Sequence, residues 1–292
     1  MIDTMRTDYS ISELCHALDV SRSGYHAWRT REPSERERSN ARLVEKMTAV
    51  HGHRHARAYG SPRMAVELRS MDLPCSVNRV ARLMRENELR ARPRKAFRPK
   101  TTQPDHAACP SPNLLANVDP PAAPGTQVVS DITYIATREG WLYLAVVLDL
   151  YSRAILGWAV SESLHTDVVT RALRRALDRG SVRPNALFHS DRGCQYTASA
   201  TRTLLARAHL DQSMSAAGYC YDNAFAESVF ASLKSELMPD GAPFASRAEA
   251  STAVFDYIET FYNRRRRHSS LGYMSPRDFL DKHFQNLNPS AN

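Results

Sequence analysis

A mixed α/β core behind an all-α amino-terminal half is the fold class this sequence predicts, and three observations carry it. Before Thr101 the apolar residues recur at helical spacing. Between Thr101 and Thr126 six prolines interrupt any periodicity. Beyond that point strand-like runs alternate with helical ones.

Taken in order, ISELCHALDVSRSGYHAWR reads as two short helices joined at Asp19-Val20-Ser21, with Ser21 as the cap of the second. That is helix-turn-helix spacing, and a generic helical hairpin has the same pattern. Arg22 and Ser23, at the start of the second helix, are the candidate DNA contacts there. A charge-dense stretch then leads into a helix from about Ala41. Two further helices flank Pro74, the second capped by Ser76 and striped by Val80, Leu83 and Met84. A basic arm follows, in which Arg92, Arg94, Lys95 and Arg98 are candidate phosphate contacts. The expected units are 1–50, 51–100, a proline-rich linker 101–126 with a short anchor at Asn113-Leu114-Leu115, a catalytic core 127–285 and a tail 286–292.

In the core, strand-like runs at 127–136, 141–151 and 154–162 are joined by tight turns and should form an antiparallel meander. A helix over 166–179 leads to a strand at 186–190. Thr197 is placed to cap a helix running to about His209, and a strand near 212–216 follows. The helix bearing Glu227 and a long helix from Arg247 to Asn263 complete the series. This order, three strands, helix, strand, helix, strand, helix, is that of the ribonuclease H-like fold: a mixed five-stranded sheet with flanking helices.

The 292-residue chain is 42% hydrophobic, enough to bury a sizeable core, and carries a formal charge of +8. That excess suits a polyanionic partner. Five cysteines without a CxxC pair exclude a zinc ribbon or a disulfide framework. The start lacks a signal-peptide pattern and no apolar run is long enough to span a bilayer, so the expected place is cytoplasmic and nucleoid-associated.

Three carboxylates stand out. Alternation puts Asp131 on one face with Val129 and Thr133, where an acid is costly to bury and metal coordination offsets the cost. Asp191 ends an apolar run beside the Arg192-Gly193 turn, at the carboxyl end of a strand, with Arg192 as a candidate DNA contact. Glu227 flanks the helical stripe Ala226, Val229, Phe230, Leu233 and Leu237, and Lys234 returns to nearly its azimuth two turns later. Any one acid alone reads as a surface or salt-bridged residue; together they suggest an oxygen-donor site for divalent metal.

The strings DITYI, GWLYLAVVLDLYSRAILGW, HSDRGCQYT, DNAFAESVFASLKSE and YNRRRRHSSLGYMSP, in this order, resemble the catalytic subunit of two-reading-frame insertion-sequence transposases, relatives of retroviral integrases. VSRSGYHAW, YGSPRM and NRVARLMRENELRA resemble the DNA-binding units that precede the integrase core in that subunit. The resemblance implies a DDE site at Asp131, Asp191 and Glu227, with Lys234 as the basic position seven after the glutamate. It further implies two Mg²⁺ ions, replaceable by Mn²⁺, and cleavage and strand transfer at element ends. DNA would be the substrate, with homo-oligomers on DNA and an upstream-frame helix-turn-helix subunit or fusion as further partners.

Other residues compete for roles. Asp149 reads as a hairpin fixer or a partner of Arg153, Asp222 as a helix cap, and His189 as a structural neighbour of the site. His51, His53 and His55 alternate in what looks like a loop. The tract Arg264, Arg265, Arg266 and Arg267 is a solvated patch or, beside a nuclease core, a DNA-backbone grip. Two other functions stay open at this point: a DNA-binding regulator with an inert core, and a nuclease that only hydrolyses.

Overall fold

A computed structural model describes residues 2–91, 110–215, 224–238 and 241–287. The basic arm with Arg92, Arg94, Lys95 and Arg98, and the expected cap Asp222, lie outside the described residues.

The first three helices are short because each is closed by its own local chemistry. After α1 (Ile2–Met5), Ser10 and Glu13 form a reciprocal capping box at the start of α2 (Ile11–Ala17), and Ser21 Oγ accepts from Gly24 N–H to start α3 (Arg22–Thr30). Only Leu14, Cys15 and Tyr25 are buried in these helices. Helix α4 (Glu35–Gly52) begins earlier than the expected Ala41, because Ser34 and Glu37 form a second capping box. It shares one apolar cluster with α5 (Ser61–Arg69) and α6 (Val77–Glu86), centred on Leu43, Met47, Met64, Leu68 and Val80. Ala56 and Tyr59, between α4 and α5, join the core's own apolar cluster, so the helical half docks directly on the α/β half.

The core sheet has the order β3-β2-β1-β4-β5. β1 (Gln127–Thr137), β2 (Gly140–Asp149) and β3 (Ile155–Ser161) form the expected antiparallel meander. β4 (Leu187–Ser190) pairs parallel with β1, and β5 (Asp211–Met214) parallel with β4. On one face lie α7 (Thr166–Asp178), α8 (Cys194–Thr197) and α9 (Ser199–Arg207), sealed on Val128, Val147, Leu156 and Phe188. On the other lie α10 (Ala224–Leu237), α11 (Arg247–Phe255) and a π-helical continuation Asp256–Tyr262, sealed on Ile135, Leu144, Val146 and Trp158. Helix α12 (Pro276–Leu287) closes the chain. This is the ribonuclease H-like arrangement.

Two local departures from expectation, and one close approach, have physical causes. Thr197 ends α8 instead of capping the next helix, since its Oγ donates back to Cys194 O and α9 starts after Ala198 without a side-chain cap. The long helix after Arg247 widens into π geometry at Asp256, where Asp256 is held by His55 and Thr260. At Gly157 a Cβ would lie 2.2 Å from Ala172 O, so glycine is what lets α7 sit this close to β3.

Both rims of the sheet are covered. On edge strand β3, Arg171, Arg175 and Arg179 of α7 donate to the carbonyls of Val160, Trp158 and Leu156 at 2.9, 2.7 and 3.5 Å. The spacing explains the match: four residues of helix advance about 6 Å, close to the roughly 6.6 Å of two residues of strand. On edge strand β5, the expected anchor at Asn113-Leu114-Leu115 is present: Leu114 N–H and Leu115 N–H donate to Ser213 Oγ, and Met214 N–H to Pro112 O.

Candidate active site

The site begins with backbone register. β1 and β4 pair in parallel from Gln127 opposite Leu187 to Ser130 opposite Ser190, which makes Asp131 and Asp191 the next residues on adjacent strands. Asp131 continues along a long strand, whereas Asp191 follows the end of β4, at the sheet's switch from antiparallel to parallel pairing. Each carboxylate is oriented by a main-chain donor: Ile132 N–H to Asp131 Oδ1 at 2.7 Å, and Gly193 N–H to Asp191 Oδ1 at 2.9 Å. Both line one cleft with Tyr134, Leu164, Gln195 and Tyr196.

The phenols of that cleft report the two negative charges. Burial raises the pKa of Tyr134 and of Tyr196, and in each the charges of Asp131 and Asp191 push further upward. Tyr196 is fully buried, and its Oη lies 3.1 Å from Ser130 Oγ, joining the helix after Asp191 to the strand of Asp131. Sequence reasoning passed over this tyrosine, although its place inside HSDRGCQYT was the available signal. Arg192 Nε donates to Ser215 O at 2.7 Å, which pins the loop beside Asp191 to the end of β5.

Helix α10 lies across the face of β1 that carries Asp131, with Ala226 packed on Val129 and Leu150. Glu227 stands in its first turn, exposed, and Lys234 in its last, half-buried. Burial lowers the Lys234 pKa, and the charge of Asp131, within electrostatic reach, opposes that shift. Among the described residues no group of three His, Cys, Asp or Glu side chains is gathered closely enough to hold a metal ion. The two aspartates thus line one cleft from the sheet, while Glu227 is carried separately by α10.

The remaining sequence candidates divide clearly. Asp149 is fully buried and fixes the hairpin: its carboxylate accepts from Gly125 N–H, Ser152 N–H and Ser152 Oγ–H. His189 is buried between the Ser213 and Ser215 hydroxyls, at 2.8 and 3.1 Å, a structural setting. The three alternating histidines part company: His51 meets Arg90 O, His53 stacks on Phe261, and His55 bonds Asp256 at 3.0 Å. Arg22 and Ser23 are exposed at the start of α3. The arginine tract needs correction. Arg264 and Arg265 face solvent, but Arg266 is buried in a bidentate pair with Glu236 and is closed to DNA. Arg267 is occupied by Glu67 and Ser70 of the helical half. The preceding Tyr262 and Asn263 are structural too: Asn263 bonds both N–H and C=O of Ile155, and Tyr262 Oη donates to Arg153 O.

The chain is similar to known proteins along most of its length. Two integrase core domain models match residues 121–220 and 227–284, and an HTH-like domain model matches 38–97. The 31 kDa protein of insertion element IS600 from Shigella sonnei is 41% identical over 274 residues, covering 93% of this chain and 99% of that protein. Transposase InsF for insertion sequence IS3A of Escherichia coli (strain K12) is 40% identical over 282 residues, covering 96% and 97%. Among solved structures, the catalytic core domain of BIV integrase aligns with 56% of this chain and 99% of its own, at 17% identity and a TM-score of 0.42.

Proposed function

The chain belongs to the IS3 family of insertion-sequence transposases and is a DNA transposase of the DDE polynucleotidyl-transferase class, and from that membership we propose that Asp131, Asp191 and Glu227 are its catalytic carboxylates. The observation that carries the proposal is the register of β1 on β4, which makes the two aspartates strand neighbours at the mouth of one cleft.

The donor set is all carboxylate oxygen, a chemistry that fits a hard divalent cation such as Mg²⁺, with Mn²⁺ as a substitute. Asp131 and Asp191 would hold it from the sheet and Glu227 from α10. When bound, a pair of such ions supplies activation of the attacking oxygen and stabilisation of the leaving one in an in-line displacement at phosphorus.

The protein's own residues do the rest. Main-chain N–H groups of Ile132 and Gly193 hold the aspartates in one orientation before substrate arrives. Lys234, on α10 within electrostatic reach of Asp131, holds a backbone phosphate of the bound DNA end beside the carboxylates. Arg192 keeps the Asp191 loop fixed against β5. Arg264 and Arg265, with the arm residues Arg92, Arg94, Lys95 and Arg98 and with Arg22 and Ser23 of α3, are the backbone and groove contacts along the rest of the duplex. Copies of the chain act together on two DNA ends, alongside or fused to an upstream-frame helix-turn-helix product, in the cytoplasm on the nucleoid.

Asp131→Asn, Asp191→Asn and Glu227→Gln are each expected to abolish end cleavage and strand transfer in Mg²⁺ while DNA-end affinity stays within about twofold. Strand transfer retained in any one of the three removes that residue from the catalytic set.

A further inference from the structure

Glu227 is the carboxylate that the sheet does not position, and the turn between β2 and β3 supplies what does. That turn is rigid: Asp149 O accepts from Arg153 N–H at 2.9 Å, the Asp149 carboxylate holds Ser152, and Tyr262 Oη donates to Arg153 O. Arg153 sits in it at φ 61°, a left-handed conformation that glycine adopts without strain and arginine does not. Among the described residues its Nη1 is enclosed without a hydrogen-bond partner, so neither backbone geometry nor hydrogen bonding there accounts for an arginine. What the side chain does is stack: the guanidinium carbon lies 4.0 Å from the ring centroid of Phe225, in the first turn of α10.

We infer that Arg153 is a positioning residue for Glu227, clamping the first turn of α10 through the Phe225 ring. The geometry of a helix makes this a rotational lock. Residues 225, 226 and 227 project about 100° apart. Ala226 is buried against Val129 and Leu150, and Phe225 is gripped by Arg153 on one flank. With those two directions fixed, Glu227 on the other flank has one azimuth left. The clamp thereby carries the rigidity of the Asp149 turn into the glutamate's helix. The inference rests on the reading of Glu227 as a catalytic carboxylate.

The test uses the full chain in a Mg²⁺-dependent strand-transfer assay on end DNA, with E227Q, R153G, R153K, F225L and F225Y. R153G relieves the left-handed strain, so its urea midpoint stays at or above the wild-type value and its DNA-end Kd is unchanged. Its strand-transfer rate nonetheless falls about tenfold or more, and half-saturating Mg²⁺ rises. R153K, which keeps the charge without the planar stack, falls with it, and F225L does the same. F225Y keeps wild-type rate, and the R153G/F225L double variant is no slower than the worse single one. Wild-type rate and Mg²⁺ dependence in R153G, beside an inactive E227Q, overturns the clamp. So does a loss of stability in R153G that matches its loss of rate. An active E227Q instead overturns the catalytic reading of Glu227 itself.

Discussion

At the residue scale, a buried ion pair lies away from the cleft. Arg266 and Glu236 pair bidentately in the core, with Tyr257 Oη donating to Glu236 Oε2 and His268 3.5 Å from Arg266 Nη1. Burial and the Arg266 charge hold the His268 pKa down at about 2 against an ordinary 6.5. A group whose folded pKa is depressed contributes stability that is fully present above its unfolded value and is lost as pH falls. His268 should therefore cost on the order of 1.4 kcal/mol per pH unit below about 6.5. Urea titrations between pH 7 and pH 5 should show that slope flatten in His268→Gln, and an unchanged slope would remove His268 as its source. The arginine tract illustrates what local sequence hides. Four consecutive arginines look solvated, and only the tertiary placement of Glu236 and Glu67 draws two of them inward. Asp131 and Asp191 stood out as candidates for the opposite reason: an acid inside or ending an apolar strand conflicts with its surroundings, and the conflict is visible in one dimension.

At the element scale, what could be read was what local chemistry decides. Ser21 and Ser76 cap their helices as expected, because an N-cap depends on three neighbouring residues. The early start of α4 was masked by ERERSN, which offers no apolar periodicity, although Ser34 and Glu37 carried the capping signal. The π-helical stretch had no sequence signature at all, since its inward residues Tyr257, Ile258, Phe261 and Tyr262 suit an ordinary helix equally well. The close approach of α7 to β3 is another tertiary fact, and it yields a sharp expectation. Gly157→Ala should destabilise the chain by about 3 kcal/mol, the upper end of overpacking costs, because the new methyl meets main-chain atoms that cannot yield. A denaturant midpoint equal to wild type would show that α7 can move away.

At the scale of the whole molecule, the helical half and the α/β half share a seam built from Tyr59, His55 and Glu67 on one side and Phe261, Asp256 and Arg267 on the other. Tyr59 is buried there and accepts from Arg267 N–H. A fragment beginning at Pro110 would expose that apolar seam, so it should melt lower than the full chain and bind a hydrophobic dye at temperatures where the full chain does not. Equal melting would mean that the halves stand independently. The succession of strands and helices along the chain was legible from the sequence because each strand is bounded by turn residues, but the seam joins residues some 200 positions apart and left no local trace.

The arginine ladder on β3 and the tether on β5 carry a consequence for how copies can meet. Sheets commonly enlarge by accepting a foreign strand along an open margin, and here guanidinium groups occupy one margin while the chain's own linker occupies the other. Copies of the chain that meet on DNA would therefore touch through helices, loops or the nucleic acid between them, and not by joining sheet to sheet.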